Sequence, residues 1–192
     1  MVGNDAINYF DLYGLTESGY FSGLKYVTVS SSIMSQTDIE GMSWTDGALS
    51  GSKGALTAPS FSLECDCEED SEDSTISPEC ELTLSVSITL DVAKLNNNNS
   101  SLNRSYGHEQ RHVLNVMNKA SSLMSDLDKA LAGLECKDLN TCKQDIEIER
   151  LKTRVAWLEF KSDEAAHKTG NPAAGLGYEP LNDVFPEPTK SN

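Results

Sequence analysis

His108 and His112 stand four residues apart in the run His108-Glu109-Gln110-Arg111-His112. On a helix that spacing puts both imidazoles on one face, one turn apart, so both can reach a single ion. Glu109 then projects beside them, placed to act on a water and not to ligate. Metalloproteases use this pattern: zinc lowers the pKa of its water toward ~7, and a carboxylate takes the proton as the oxygen attacks a peptide carbonyl. Two histidines on a helix are also an ordinary surface or core feature, so the reading needs a third ligand.

The chain has three histidines, and the third is His167. Two segments of helical period position it. Val113, Met117, Ala120, Met124, Leu127, Leu131 and Leu134 recur at steps of four and three, which predicts a helix from about Ser105 to Leu134. Ile148, Leu151, Val155, Leu158 and Ala165 mark a second helix, ending near Lys168 before Thr169-Gly170-Asn171-Pro172. A short connection makes the two antiparallel neighbours. His112 to Leu134 spans 22 residues, as does Asp145 to His167, and each span is about 33 Å at the helical rise. His167 is thereby expected level with His112. Three protein ligands and an open fourth position are what a catalytic zinc requires. Asp163 and Glu164 are the alternative third ligand, or acceptors for ligand N–H groups. Tyr178 is a candidate donor to a developing oxyanion, against the commoner packing role of tyrosine.

The residues before the motif read as β-structure. Residues 7–14 and 24–30 are short, aromatic and β-branched, with turn signals around them. From Phe61 to Cys67 the odd positions are apolar; from Cys80 to Val92 the even positions are. Period two over that length predicts strands with one buried face, joined as a hairpin through a polar acidic loop. That loop lacks the alternating ligands and central glycine of a calcium site, so a solvated charged loop is expected. The strand from Leu82 to Val92 is a candidate edge for an extended substrate. Asn96 to Ser101 reads as a polar connector, and the stretch from Gly170 onward as coil.

Cys65, Cys67 and Cys80 form one group of cysteines, Cys136 and Cys142 a second, and neither contains a Cys-x-x-Cys pair. Disulfides fit this spacing better than metal ligation, and they point to an oxidising compartment, secreted or periplasmic. Cys67 with Cys80 would close the hairpin loop, with Cys65 a competitor; Cys136 with Cys142 would pin the turn between the helices. The first residues show no basic n-region and no apolar h-region, so a signal directing export is not visible in this stretch. Net charge is −15 with a pI near 4.5, which argues against nucleic acid and anionic membrane surfaces as partners. No apolar run approaches the ~20 residues of a membrane span. A peptide or protein substrate is the expected partner.

The chain resembles the family of predicted secreted zinc-dependent proteases known as domain of unknown function 922. The likeness rests on His108 to His112, with looser echoes in Tyr9-Phe10-Asp11-Leu12-Tyr13-Gly14-Leu15-Thr16, Trp44-Thr45-Asp46-Gly47 and Glu164-Ala165-Ala166-His167. It implies zinc at His108, His112 and His167, Glu109 as general base, and secretion. Val113-Leu114 stand where the family has an apolar-acidic pair, and Lys168 replaces a glycine.

The expected architecture is α+β and zincin-like, one domain over residues 1–170 with a coil tail at 171–192. An N-terminal antiparallel sheet (1–95) packs on an antiparallel helical hairpin (105–168). The expected function is zinc-dependent peptide hydrolysis; the alternative is a non-catalytic, zinc-stabilised extracytoplasmic binding module.

Overall fold

A computed structural model describes residues 19–69 and 75–168, with backbone alone for 165–168. Four strands and three helices follow in the order β1 (Val27–Ser31), α1 (Gln36–Glu40), β2 (Trp44–Asp46), β3 (Ala55–Glu69), β4 (Ile76–Leu90), α2 (Asn99–Ala132) and α3 (Leu139–Lys168). The fold is α+β, with both long helices packed on the sheet.

The sheet is mixed and not antiparallel throughout. β3 and β4 form the expected antiparallel hairpin, in register from Ala55 opposite Leu90 to Glu69 opposite Ile76. β1 and β2 both run parallel to β4, β1 beside Cys80–Leu84 and β2 beside Ile88–Leu90. A strand has only two edges, so β1 and β2 share the one that β3 leaves. β4 is therefore central and offers an extended substrate no long free edge; β3 is the long strand paired on one side only among the described residues. Pro59 fits that place, because a proline without an N–H is tolerated where a ladder is missing on one side.

Alternation is what fixes the sheet to its helical layer. Cys80, Leu82, Leu84, Ile88 and Leu90 are buried while Glu79, Glu81, Thr83, Ser85 and Ser87 are exposed, so a shift of one residue would turn the whole apolar set outward. Against this face α2 places Val113, Met117, Ala120, Met124, Leu127 and Leu131, none more than 2% exposed. Truncating Met117, Met124 or Leu131 to alanine costs about 2–5 kcal/mol each.

The helix α2 begins before Ser105 because Asn98 caps it, accepting from the N–H groups of Ser100 (2.9 Å) and Ser101 (3.3 Å). Asn96 and Asn97 make the approach with φ of 57° and 48°, a region asparagine tolerates. The asparagine run is thus a turn and a cap.

The buried side of α3 differs from the expected one. Ile148, Leu151, Val155 and Leu158 are 48–62% exposed, and the inward face is Cys142, Ile146, Thr153 and Trp157. Phe61 of β3 stacks on Trp157 at 4.5 Å between ring centroids.

The disulfides also pair differently. Cys65 lies directly across the ladder from Cys80 and bonds to it; Cys67 faces Pro78 across the same ladder, out of register with Cys80. Cys67 bonds instead to Cys142 of α3. Cys136 and Cys142 do not form their expected bridge: Cys136 is a free thiol whose sulfur lies 2.7 Å from that of Cys142. Burial, with help from the Asp145 charge, pushes the Cys136 thiol pKa up. Two disulfides point to an oxidising environment. No helix among the described residues is long and apolar enough to cross a membrane.

Candidate metal centre

The site forms where the first third of α2 lies between β3, α1 and the far end of α3. Tyr106 and Gln110 fix this stretch on one side. The Tyr106 hydroxyl donates to the Met42 carbonyl, and Gln110 Nε2 donates to the Ile39 carbonyl at 3.0 Å. Gln110 is fully buried and Ile39 likewise, so the middle of the motif anchors α1 while its ends turn elsewhere. α1 itself is short and held by a capping box, Ser35 and Asp38 bonding reciprocally.

On the adjacent face, Nε2 of His108 and Nε2 of His112 lie 3.1 Å apart with the rings edge to face. His112 is 1% exposed and Glu109 4%. Ligand atoms of His108, Glu109 and His112 all fall within 4.8 Å of one another, so this group can hold a metal ion. A tetrahedral ion with nitrogen ligands at 2.0–2.1 Å spaces those nitrogens about 3.3 Å apart, close to the separation seen. The donor set suits zinc, copper, iron or nickel better than magnesium or calcium, because imidazole is a borderline donor.

The other ring nitrogen of His112, Nδ1, lies 2.9 Å from Glu164 Oε2. With the proton on Nδ1, His112 donates to Glu164 and presents Nε2 as the atom that would ligate. Ligating histidines are commonly oriented this way. Glu164 thus stands behind His112, while its neighbour Asp163 is exposed to solvent. The link between His112 and Glu164, with Cys136 and Cys142 together at the other end, makes α2 and α3 antiparallel. His167 lies on α3 one turn beyond Glu164, but its side chain is outside the described residues; Tyr178 is outside them altogether, as are residues 7–14 and the segment after 168.

Thr57 is a site residue that sequence reasoning missed. Its hydroxyl donates to Glu109 Oε2 at 2.6 Å and lies 3.1 Å from the Glu109 carbonyl. Thr57 is buried on β3, 52 positions before its partner. A buried threonine in a strand that alternates apolar residues inward is the only local sign of it. Beside His112 a cavity of about 240 Å³ opens, lined by Thr57, Ala58, Pro59, Val116, Phe160 and Glu164 among others. Its walls are mostly apolar.

No protein-family model, curated protein or solved structure matches this chain.

Proposed function

We propose that this protein is a secreted or periplasmic zinc-dependent peptidase of zincin-like fold, with His108 and His112 holding the ion and Glu109 as general base. His167 is the third ligand in this reading. The observation that carries it is the convergence of two imidazole Nε2 atoms at 3.1 Å beside a buried carboxylate, with Glu164 behind one ring. Zinc bound there supplies Lewis acidity toward a water and the scissile carbonyl.

The chain's own residues do the rest. Thr57 holds one oxygen of Glu109 and sets the direction of the carboxylate that takes the proton. Glu164 keeps His112 in the tautomer that presents Nε2. The cavity walled by Ala58, Pro59, Val116 and Phe160 receives an apolar side chain of the peptide. Two disulfides accord with an exported protein.

One observation favours the second reading, a metal that braces the fold without catalysis: Glu109 is nearly inaccessible and already bonded to Thr57. Glu109→Gln separates the two. It retains zinc and loses all hydrolysis of a broad peptide library if the peptidase reading holds. Wild-type protein that carries zinc yet cleaves nothing in that library decides for the bracing role.

A further inference from the structure

The exposed stripe of α3 has no role in the site and no partner in the layers described above. Ile148, Leu151, Val155 and Leu158 follow one another at steps of three, four and three. They are 51%, 48%, 53% and 62% exposed. That spacing places all four along one line of the helix, on the side turned from Ile146 and Trp157, which are buried. Four large aliphatic side chains in one row make a contiguous apolar strip, and such strips mark association surfaces.

We propose that this strip pairs with the same strip of a second copy of the chain, as a short parallel two-stranded coiled coil. The residue types argue for two strands. Taking Ile148 as position a of a heptad makes Ile148 and Val155 the a residues and Leu151 and Leu158 the d residues. β-branched residues at a with leucine at d favour parallel dimers.

The flanking charges argue for the direction. In this register Glu147 and Arg154 occupy g, and Lys152 and Glu159 occupy e. A parallel, in-register pair sets each g residue against the e residue five positions on in the partner. Glu147 then meets the partner's Lys152, and Arg154 meets the partner's Glu159; every contact is between opposite charges. An antiparallel pair with the same apolar layers sets Lys152 against itself and Arg154 against itself. It also brings Asp145 against Glu159, again like charges, and gains only the attraction of Glu147 for Lys161. In the single chain Glu147 is bonded to Arg150 at 2.6 Å and Lys152 to Glu149 at 2.6 Å. Their partners Arg150 and Glu149 lie at c and b, outward of the seam, so these intrachain pairs are exchanged for the interchain ones on association.

The strip is about 16 Å long at the helical rise, so the pairing is weak and concentration-dependent.

Sedimentation equilibrium of the oxidised full chain up to about 0.5 mM tests this. The wild type is expected to dimerise. Leu151→Glu, at an exposed position, is expected to keep its circular dichroism spectrum and melting temperature and to weaken the dimer at least ~100-fold. Lys152→Glu alone places like charges at the two symmetry-related contacts between positions 147 and 152 and is expected to weaken it about tenfold; adding Glu147→Lys restores it. A wild type that stays monomeric throughout overturns the proposal, as does a dimer indifferent to Leu151→Glu. If Leu151→Glu instead lowers the melting temperature of a monomer, the strip is covered by the chain's own terminal segments and the proposal fails. Loss of the dimer in the charge-swapped double variant contradicts the parallel arrangement.

Discussion

Glu164 Oε2 sits 2.9 Å from His112 Nδ1, and this contact joins the far end of α3 to the motif helix while leaving Nε2 as the His112 nitrogen that faces His108. The two residues are 52 positions apart and meet only because α2 and α3 run antiparallel. Glu164→Gln offers either an amide oxygen or an amide hydrogen to Nδ1, and no longer a charge. Zinc affinity, measured by competition with a chromophoric chelator, is expected to fall about 10–100-fold. Affinity unchanged from wild type contradicts the positioning role.

The contact between Thr57 and Glu109 predicts a different split. Thr57→Val removes the hydroxyl that bonds a buried carboxylate, at a cost of about 1–3 kcal/mol in stability. Hydrolysis should fall in kcat while zinc affinity stays near wild type, since the ligating nitrogens are untouched. A variant with full kcat shows that Thr57 does not orient the base.

The three sulfurs at the base of α3 make a prediction about pairing. The Cys67–Cys142 bridge closes 75 residues and the Cys65–Cys80 bridge closes 15. Loop-closure entropy makes the longer one worth about 4.5 kcal/mol and the shorter about 3 kcal/mol. Removing both partners, Cys67→Ala with Cys142→Ala, should therefore cost more in thermal stability than Cys65→Ala with Cys80→Ala. In Cys67→Ser alone, Cys142 is left with the Cys136 thiol 2.7 Å away. Peptide mapping is expected to find Cys136 joined to Cys142; two free thiols there contradict this.

Acid should loosen the turns that flank the site. Three groups favour charge on Asp91: chiefly the Leu49 N–H, then the Lys94 N–H and the Lys94 ammonium. They hold its carboxyl below the usual carboxylate range. Asp38 is likewise depressed, first by the Met34 N–H and then by the Ser35 side chain. A carboxyl whose folded pKa lies below its unfolded value stabilises fully above the unfolded value and loses that contribution as pH falls through the folded one. Stability against urea should thus be flat above pH ~5 and decline below ~4, less steeply in Asp91→Asn. Equal slopes for variant and wild type contradict the assignment.

Local pattern carried the hairpin strands and the helical spacing of the two histidines, and failed where the answer depended on distant partners. The alternation from Cys80 to Leu90 is visible in the residues and is what the sheet buries. Which cysteines bond depends on register, and one position decides it: Cys65 faces Cys80, whereas Cys67 faces Pro78. On α3 two apolar rows compete, Ile148 to Leu158 and Cys142 to Trp157, and helical period cannot say which meets the sheet. Trp157 decides it through Phe61 on β3, a contact across 96 positions. The parallel direction of β1 and β2 relative to β4 is of the same kind, set by crossovers and not by any residue within the strands. The spacing of His108 and His112 was legible because a helix brings i and i+4 together with no help from elsewhere.

Metal content tests the central claim most directly. After stripping with a chelator and reconstitution, the wild type is expected to hold one zinc per chain by elemental analysis. His112→Ala is expected to hold almost none while keeping its fold. Zinc near zero in the wild type, or equal in the wild type and His112→Ala, contradicts a metal centre at this pair.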